Sequence, residues 1–117
     1  MKSTTIIGKL SLAFSLTALL SLSAPASAAM DTAAIEPFLK KQGCMKCHAI
    51  DKEKKGPSYK KIAAKYKGKP EGESKAIKNM VDGQKVKLDD GTEEEHKVIE
   101  TKDQGDLKAI AQWILNR

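Results

Sequence analysis

The 117-residue sequence predicts a single small all-α domain of three to four helices. Tyr59, Ile62, Ala63 and Tyr66 fall at i, i+3, i+4 and i+7, and Leu107, Ile110, Ala111 and Ile114 repeat that spacing near the end, each an apolar stripe on a polar helix. No internal repeat or low-complexity linker divides the chain after Ala29. Beyond that point the aromatic residues are only Phe38, Tyr59, Tyr66 and Trp113, thin for a core unless something large and apolar fills the middle.

Residues 1–28 read as an export signal. Lys2 and Lys9 form a positive n-region, the apolar run Leu10 to Leu22 follows, and Ala26-Ser27-Ala28 fits the A-x-A cleavage pattern, placing the cut before Ala29. That run of 13 residues is short of the roughly 20 a helix needs to cross hydrocarbon. The expectation is therefore a periplasmic domain spanning residues 29–117 with no membrane span after cleavage.

In the domain, Asp31 or Thr32 can cap a helix carrying Ile35, Phe38 and Leu39, with Pro37 in its first turn or at a kink and Gly43 as its stop. Gly56-Pro57-Ser58 punctuates the chain just before the Tyr59 stripe. Ile77, Met80 and Val81 form a shorter stripe that Gly83 ends. From Gln84 to Lys102 the signals conflict: Asp90-Gly91 predicts a hairpin, whereas Thr92 with Glu95 three residues on reads as a capping box. This segment reads as a loop with short local structure.

The chemistry-bearing motif is Cys44-Met45-Lys46-Cys47-His48. Two cysteines in an exported protein would ordinarily form a disulfide. Here the two-residue spacing, with a histidine directly after, matches the signature for covalent haem attachment. Two thiols so placed can reach both vinyl groups of one haem, and the following histidine is carried under the iron as its proximal ligand. A thioredoxin-like pair has the same spacing but needs a βαβ framework that this sequence lacks. A zinc site is poorer still, since His96 is the one further His or Cys and the adjacent Cys47 and His48 would have to turn onto one tetrahedral ion.

From Lys41-Gln42-Gly43 through the motif to Ala49-Ile50-Asp51, then Gly56-Pro57-Ser58-Tyr59-Lys60, Ile62 to Tyr66, and Ala109 to Leu115, the sequence resembles the class I c-type cytochromes, the small bacterial monohaem electron carriers. The resemblance implies helices wrapped around one haem c and its iron, with the first and last helices crossing so that Phe38 or Leu39 meets Trp113. It also implies that the Pro57 carbonyl accepts a hydrogen bond from His48, fixing the ring's tautomer.

The departure from that family concerns the sixth ligand. Its members mostly supply methionine from a Met-Pro stretch before the last helix, and this sequence has no Met-Pro. His96 lies 17 residues before Trp113, about where that methionine would stand, so bis-histidine ligation by His48 and His96 is the preferred reading. Met80 has the right sulfur, but a methionine in an apolar stripe is more often core. An isolated histidine beside Glu93, Glu94 and Glu95 can also be a plain solvated residue, which would leave the site open or exchangeable.

Loss of Lys2 and Lys9 takes the formal charge from +6 to +4. Eleven lysines lie between Lys40 and Lys69 against Asp51 and Glu53, whereas Asp89 to Asp106 holds eight acids against Lys97 and Lys102. Most are solvated surface charges, but together they make a dipole with lysines around the motif, suited to redox partners with acidic docking surfaces. The acidic stretch from Asp89 to Asp106 and the lack of an aromatic-basic platform speak against nucleic acid. The expected function is a monomeric, non-enzymatic carrier of single electrons; the rivals are a haem enzyme or gas sensor with an open sixth position, and a module docked in a larger respiratory complex.

Overall fold

The computed structural model describes residues 28–117. The export signal expected over residues 1–28 lies, apart from Ala28, outside them. Among the described residues, no helix is long and apolar enough to cross a membrane.

Helix α1 spans Thr32–Lys41, and Asp31 is its N-cap, accepting a hydrogen bond from the Ala33 amide at 2.8 Å. Pro37 sits in the helix interior rather than its first turn. It is tolerated because Pro37 and Ala33 are both exposed, so the Ala33 carbonyl that proline leaves unpaired can turn to water. After Lys41, Gly43 adopts φ 78° and leads into a 3-10 turn, Cys44–Lys46. A side chain would be strained in that left-handed conformation.

Ser58 caps α2, Tyr59–Tyr66, by accepting from the Lys61 amide at 3.1 Å. Helix α3 runs over Gly72–Val81, and α4 over Gln104–Leu115, with Asp103 accepting from the Asp106 amide at 2.9 Å as its N-cap. The periodic stripes thus form helices, and α4 is central to them, packing against α1, α2 and α3. Ile110 and Ala111 on α4 are wholly buried. Leu39 of α1 and Trp113 of α4 belong to one core with Ile35, Tyr59, Met80 and Ile99, and Phe38 packs half-buried against it.

The conflict over residues 84–102 resolves in favour of the hairpin. Strands β1, Lys85–Lys87, and β2, Glu93–Glu95, pair antiparallel with Lys85 opposite Glu95 and Lys87 opposite Glu93. Opposite charges directly across a ladder favour that register. Thr92 is drawn into the turn, its amide and hydroxyl both bonded to Asp90 Oδ1 at 2.9 and 2.6 Å, so it does not cap a helix.

Candidate haem site

Cys44 opens the 3-10 turn and Cys47 closes it, both half-buried and not joined to each other. The turn is held by Cys47 N and His48 N, which donate to the Cys44 carbonyl at 3.2 and 3.0 Å. Burial pushes the Cys44 thiol above its usual value, outweighing its own backbone hydrogen bond and the charge of Lys97.

The loop after His48 folds back beneath the imidazole. Gly56 N donates to the Cys47 carbonyl at 2.9 Å, and Tyr59 N to that of Ala49 at 2.9 Å. This places the Pro57 carbonyl 2.6 Å from His48 Nδ1. A carbonyl only accepts, so Nδ1 carries the proton and donates, and Nε2 keeps its lone pair for a metal. Gly56 is what lets the backbone lie so close: a Cβ there would stand 2.9 Å from His48 Cε1. On its other neighbour the ring stacks with Tyr59, centroids 5.4 Å apart and planes 23° from parallel, and Tyr59 in turn meets Trp113 edge-on at 5.8 Å. Burial raises the Tyr59 phenol well above its ordinary pKa, so it stays neutral.

His96 arrives from a distant part of the sequence. Its amide donates to the Gln84 carbonyl at 2.8 Å, at the base of the hairpin. Its ring centroid lies 6.1 Å from that of His48, with 48° between the planes. His96 Nδ1 is buried without a hydrogen-bond partner. Burial, with the charge of His48 second, lowers its pKa and favours the neutral imidazole. Met80 is buried in the helical core and its carbonyl accepts from Ile99 N at 2.9 Å.

The structure therefore gathers Cys44, Cys47, His48, Pro57 and His96 around one site and sets Met80 in the core. Sequence reasoning missed Gly56 against the His48 ring and Tyr59 stacked on it, and it missed the buried Gln42, whose side chain binds Glu100. The Gly56-Pro57 pair was a visible signal for the first. Gln42 had none.

A few short helices around a Cys-x-x-Cys-His turn, with a second histidine facing the first, define a small haem-binding protein. Residues 33–117 match the family model described as Cytochrome c, and the chain belongs to that family. Its cofactor is accordingly one covalently attached haem c with iron. Cytochrome c-551 of Pseudomonas aeruginosa is 40% identical over 48 residues, 41% of this chain and 46% of that protein, so the alignment spans less than half of that relative. Cytochrome c-552 of Hydrogenobacter thermophilus is 33% identical over 89 residues, covering 73% of this chain and 83% of that one. Among solved structures, the class 1 cytochrome MtoD from Sideroxydans lithotrophicus ES-1 superposes with a TM-score of 0.69 at 44% identity, covering 75% of this chain and 97% of that one. Cytochrome c552 of Nitrosomonas europaea gives 0.55 at 28% identity over 69% and 96% of the two chains.

Proposed function

We propose that this protein is a soluble, monomeric periplasmic carrier of single electrons, exported by residues 1–28, with haem c bound through Cys44 and Cys47 and its iron held between His48 and His96. The spacing of the two imidazoles carries this reading. A metal ion bonded to one nitrogen of each ring from opposite sides, with bonds of about 2 Å and about 1 Å from nitrogen to ring centre, would set the centroids about 6 Å apart; here they are 6.1 Å apart. The buried, unpartnered His96 Nδ1 supports it, since a polar ring held at such a position needs a bonding role.

When bound, the haem supplies one iron-centred redox couple. The protein's part is to keep that couple's surroundings fixed. Pro57 orients His48 and increases its basicity as a ligand, Gly56 and Tyr59 confine the ring, and the hairpin neck presents His96. Were His48 and His96 both to hold the iron, no coordination place would be left ready for a substrate, which would favour a carrier over a haem enzyme or gas sensor. Exposed Lys46, Lys52, Lys54, Lys55 and Lys60 near the attachment turn suit an acidic partner.

Optical spectra of the ferric and ferrous protein test the ligation. A low-spin ferric spectrum without the weak far-red band of methionine sulfur is expected. A sulfur band would move the sixth ligand to a methionine, and a high-spin spectrum would favour the open-site reading.

A further inference from the structure

Gln42 and Ser58 are the two buried polar residues among the described residues. Ser58 is accounted for as the cap of α2. The Gln42 side chain serves no helix end. Although only 4% of Gln42 is exposed, both ends of its amide are used on one distant residue: Nε2 donates to Glu100 Oε2 at 3.1 Å, and Oε1 accepts from the Glu100 backbone N–H at 3.0 Å. A buried amide is expensive unless bonded, so this is a specific clamp.

Its placement gives it a role. Gln42 stands just ahead of the attachment turn that begins at Cys44, and Glu100 lies within the irregular segment that runs from His96 to the start of α4. That segment is held on one side by the buried Ile99, whose amide donates to the Met80 carbonyl of α3 at 2.9 Å. On the other side the clamp ties it to the end of α1. The hairpin neck fixes His96 through the residues before it; Gln42 fixes the residues after it.

We propose that Gln42 is a positioning residue for the sixth ligand: by holding Glu100 it sets the loop carrying His96 against the attachment turn and keeps the sixth position closed to outside ligands. The inference rests on the bis-histidine reading above. Release of His96 requires its loop to open locally, and opening is easiest where few buried contacts hold a segment. Without the clamp, the loop's far side would keep the buried Ile99 and, beyond Glu100, the Thr101 hydroxyl bonded to Asp106, but would lose its tie to the attachment turn.

Cyanide binding to the ferric holoprotein reports this opening, since His96 must leave before cyanide enters. Q42L fills the volume but supplies neither bond, and Q42E sets two carboxylates against each other. Each should speed cyanide uptake about tenfold, and Q42L should lower hydrogen-exchange protection of the Glu100 amide by a similar factor. The double exchange Q42E with E100Q restores both bonds with amide and carboxylate reversed, and should return the rate to within about twofold of the original. If Q42L or Q42E melts at a lower temperature yet takes up cyanide at the original rate while H96A takes it up fast, Gln42 is a structural residue only and the proposal fails. Should Q42L not fold, Q42E against the double exchange decides the matter: equal rates overturn the proposal. If the unaltered protein already binds cyanide as fast as H96A, the bis-histidine reading is wrong, and the role assigned to Gln42 falls with it.

Discussion

His96 follows three exposed glutamates yet has a buried, unpartnered ring nitrogen and a ring 6.1 Å from that of His48, so local sequence and tertiary setting give opposite impressions of it. A second imidazole favours ferric iron where a thioether favours ferrous. His96→Met is therefore expected to raise the midpoint potential in a spectroelectrochemical titration, and His96→Ala to give a high-spin or water-bound ferric haem that takes up cyanide or carbon monoxide. An unchanged spectrum for His96→Ala would make it an ordinary surface histidine. Gly56→Ala tests the proximal side: a Cβ 2.9 Å from His48 Cε1 forces the loop or the ring to move, and thermal unfolding should show a loss of about 1–3 kcal/mol. At this scale the attachment motif was legible because Cys44, Cys47 and His48 are contiguous and their chemistry is local. Gln42 was not, because its meaning resides in a contact with Glu100, 58 residues away.

Each helix follows from its stripe, α1, α2 and α4 with a capping side chain as well, and the elements differ in how much the fold leans on them. Helix α4 touches all three others, and Ile110, wholly buried on it, should be the most sensitive position. Ile110→Ala is expected to destabilise the protein by about 2–5 kcal/mol in denaturant titrations, through lost burial and the cavity left behind. Helix α1 carries the opposite case. Pro37 is exposed in its interior, and Pro37→Ala should raise stability by about 1–3 kcal/mol by restoring a backbone hydrogen bond; a loss instead would mean that the ring makes a contact the helix needs. Of the two places sequence allowed for the proline, the first turn is excluded, and the helix interior takes it because an exposed helix face tolerates an unpaired carbonyl that a buried one would not. The hairpin was ambiguous for a different reason. Thr92 fits a cap and a turn equally well, and cross-strand pairing of lysines with glutamates, which local pattern cannot express, selects the turn.

Across the whole molecule, the charges gather into a lysine-rich stretch, Lys40 to Lys69, and an acidic one, Asp89 to Asp106, and the six ion pairs found among the described residues are all on exposed side chains. Such pairs contribute about 0–1 kcal/mol each, so the charge pattern matters for encounter more than for stability. Lys46 and Lys52 are exposed and take part in none of those pairs. Changing both to glutamate should slow electron transfer to an acidic partner by roughly tenfold at low salt, mainly in the association rate, with the difference shrinking as salt is added. A defect that ignores salt would point to the haem surroundings instead. The helical class was legible because periodicity and composition are averaged over many residues. The closeness of His48 and His96 was foreseen only through family resemblance, since no periodic pattern relates two loops.

The hairpin ends in a neck: His96 N bonds Gln84 O where the two strands meet the body, while the Asp90-Gly91 turn lies at the opposite end of the ladder. Loop length at the tip is thus insulated from His96. Residues added or lost at the turn, or a foreign recognition peptide grafted there, fall beyond the ladder from His96, whereas one residue inserted between His96 and Ile99 would have to displace Ile99, which is buried and whose amide is bonded to the Met80 carbonyl. The stem lets the protein vary its outer surface without moving His96.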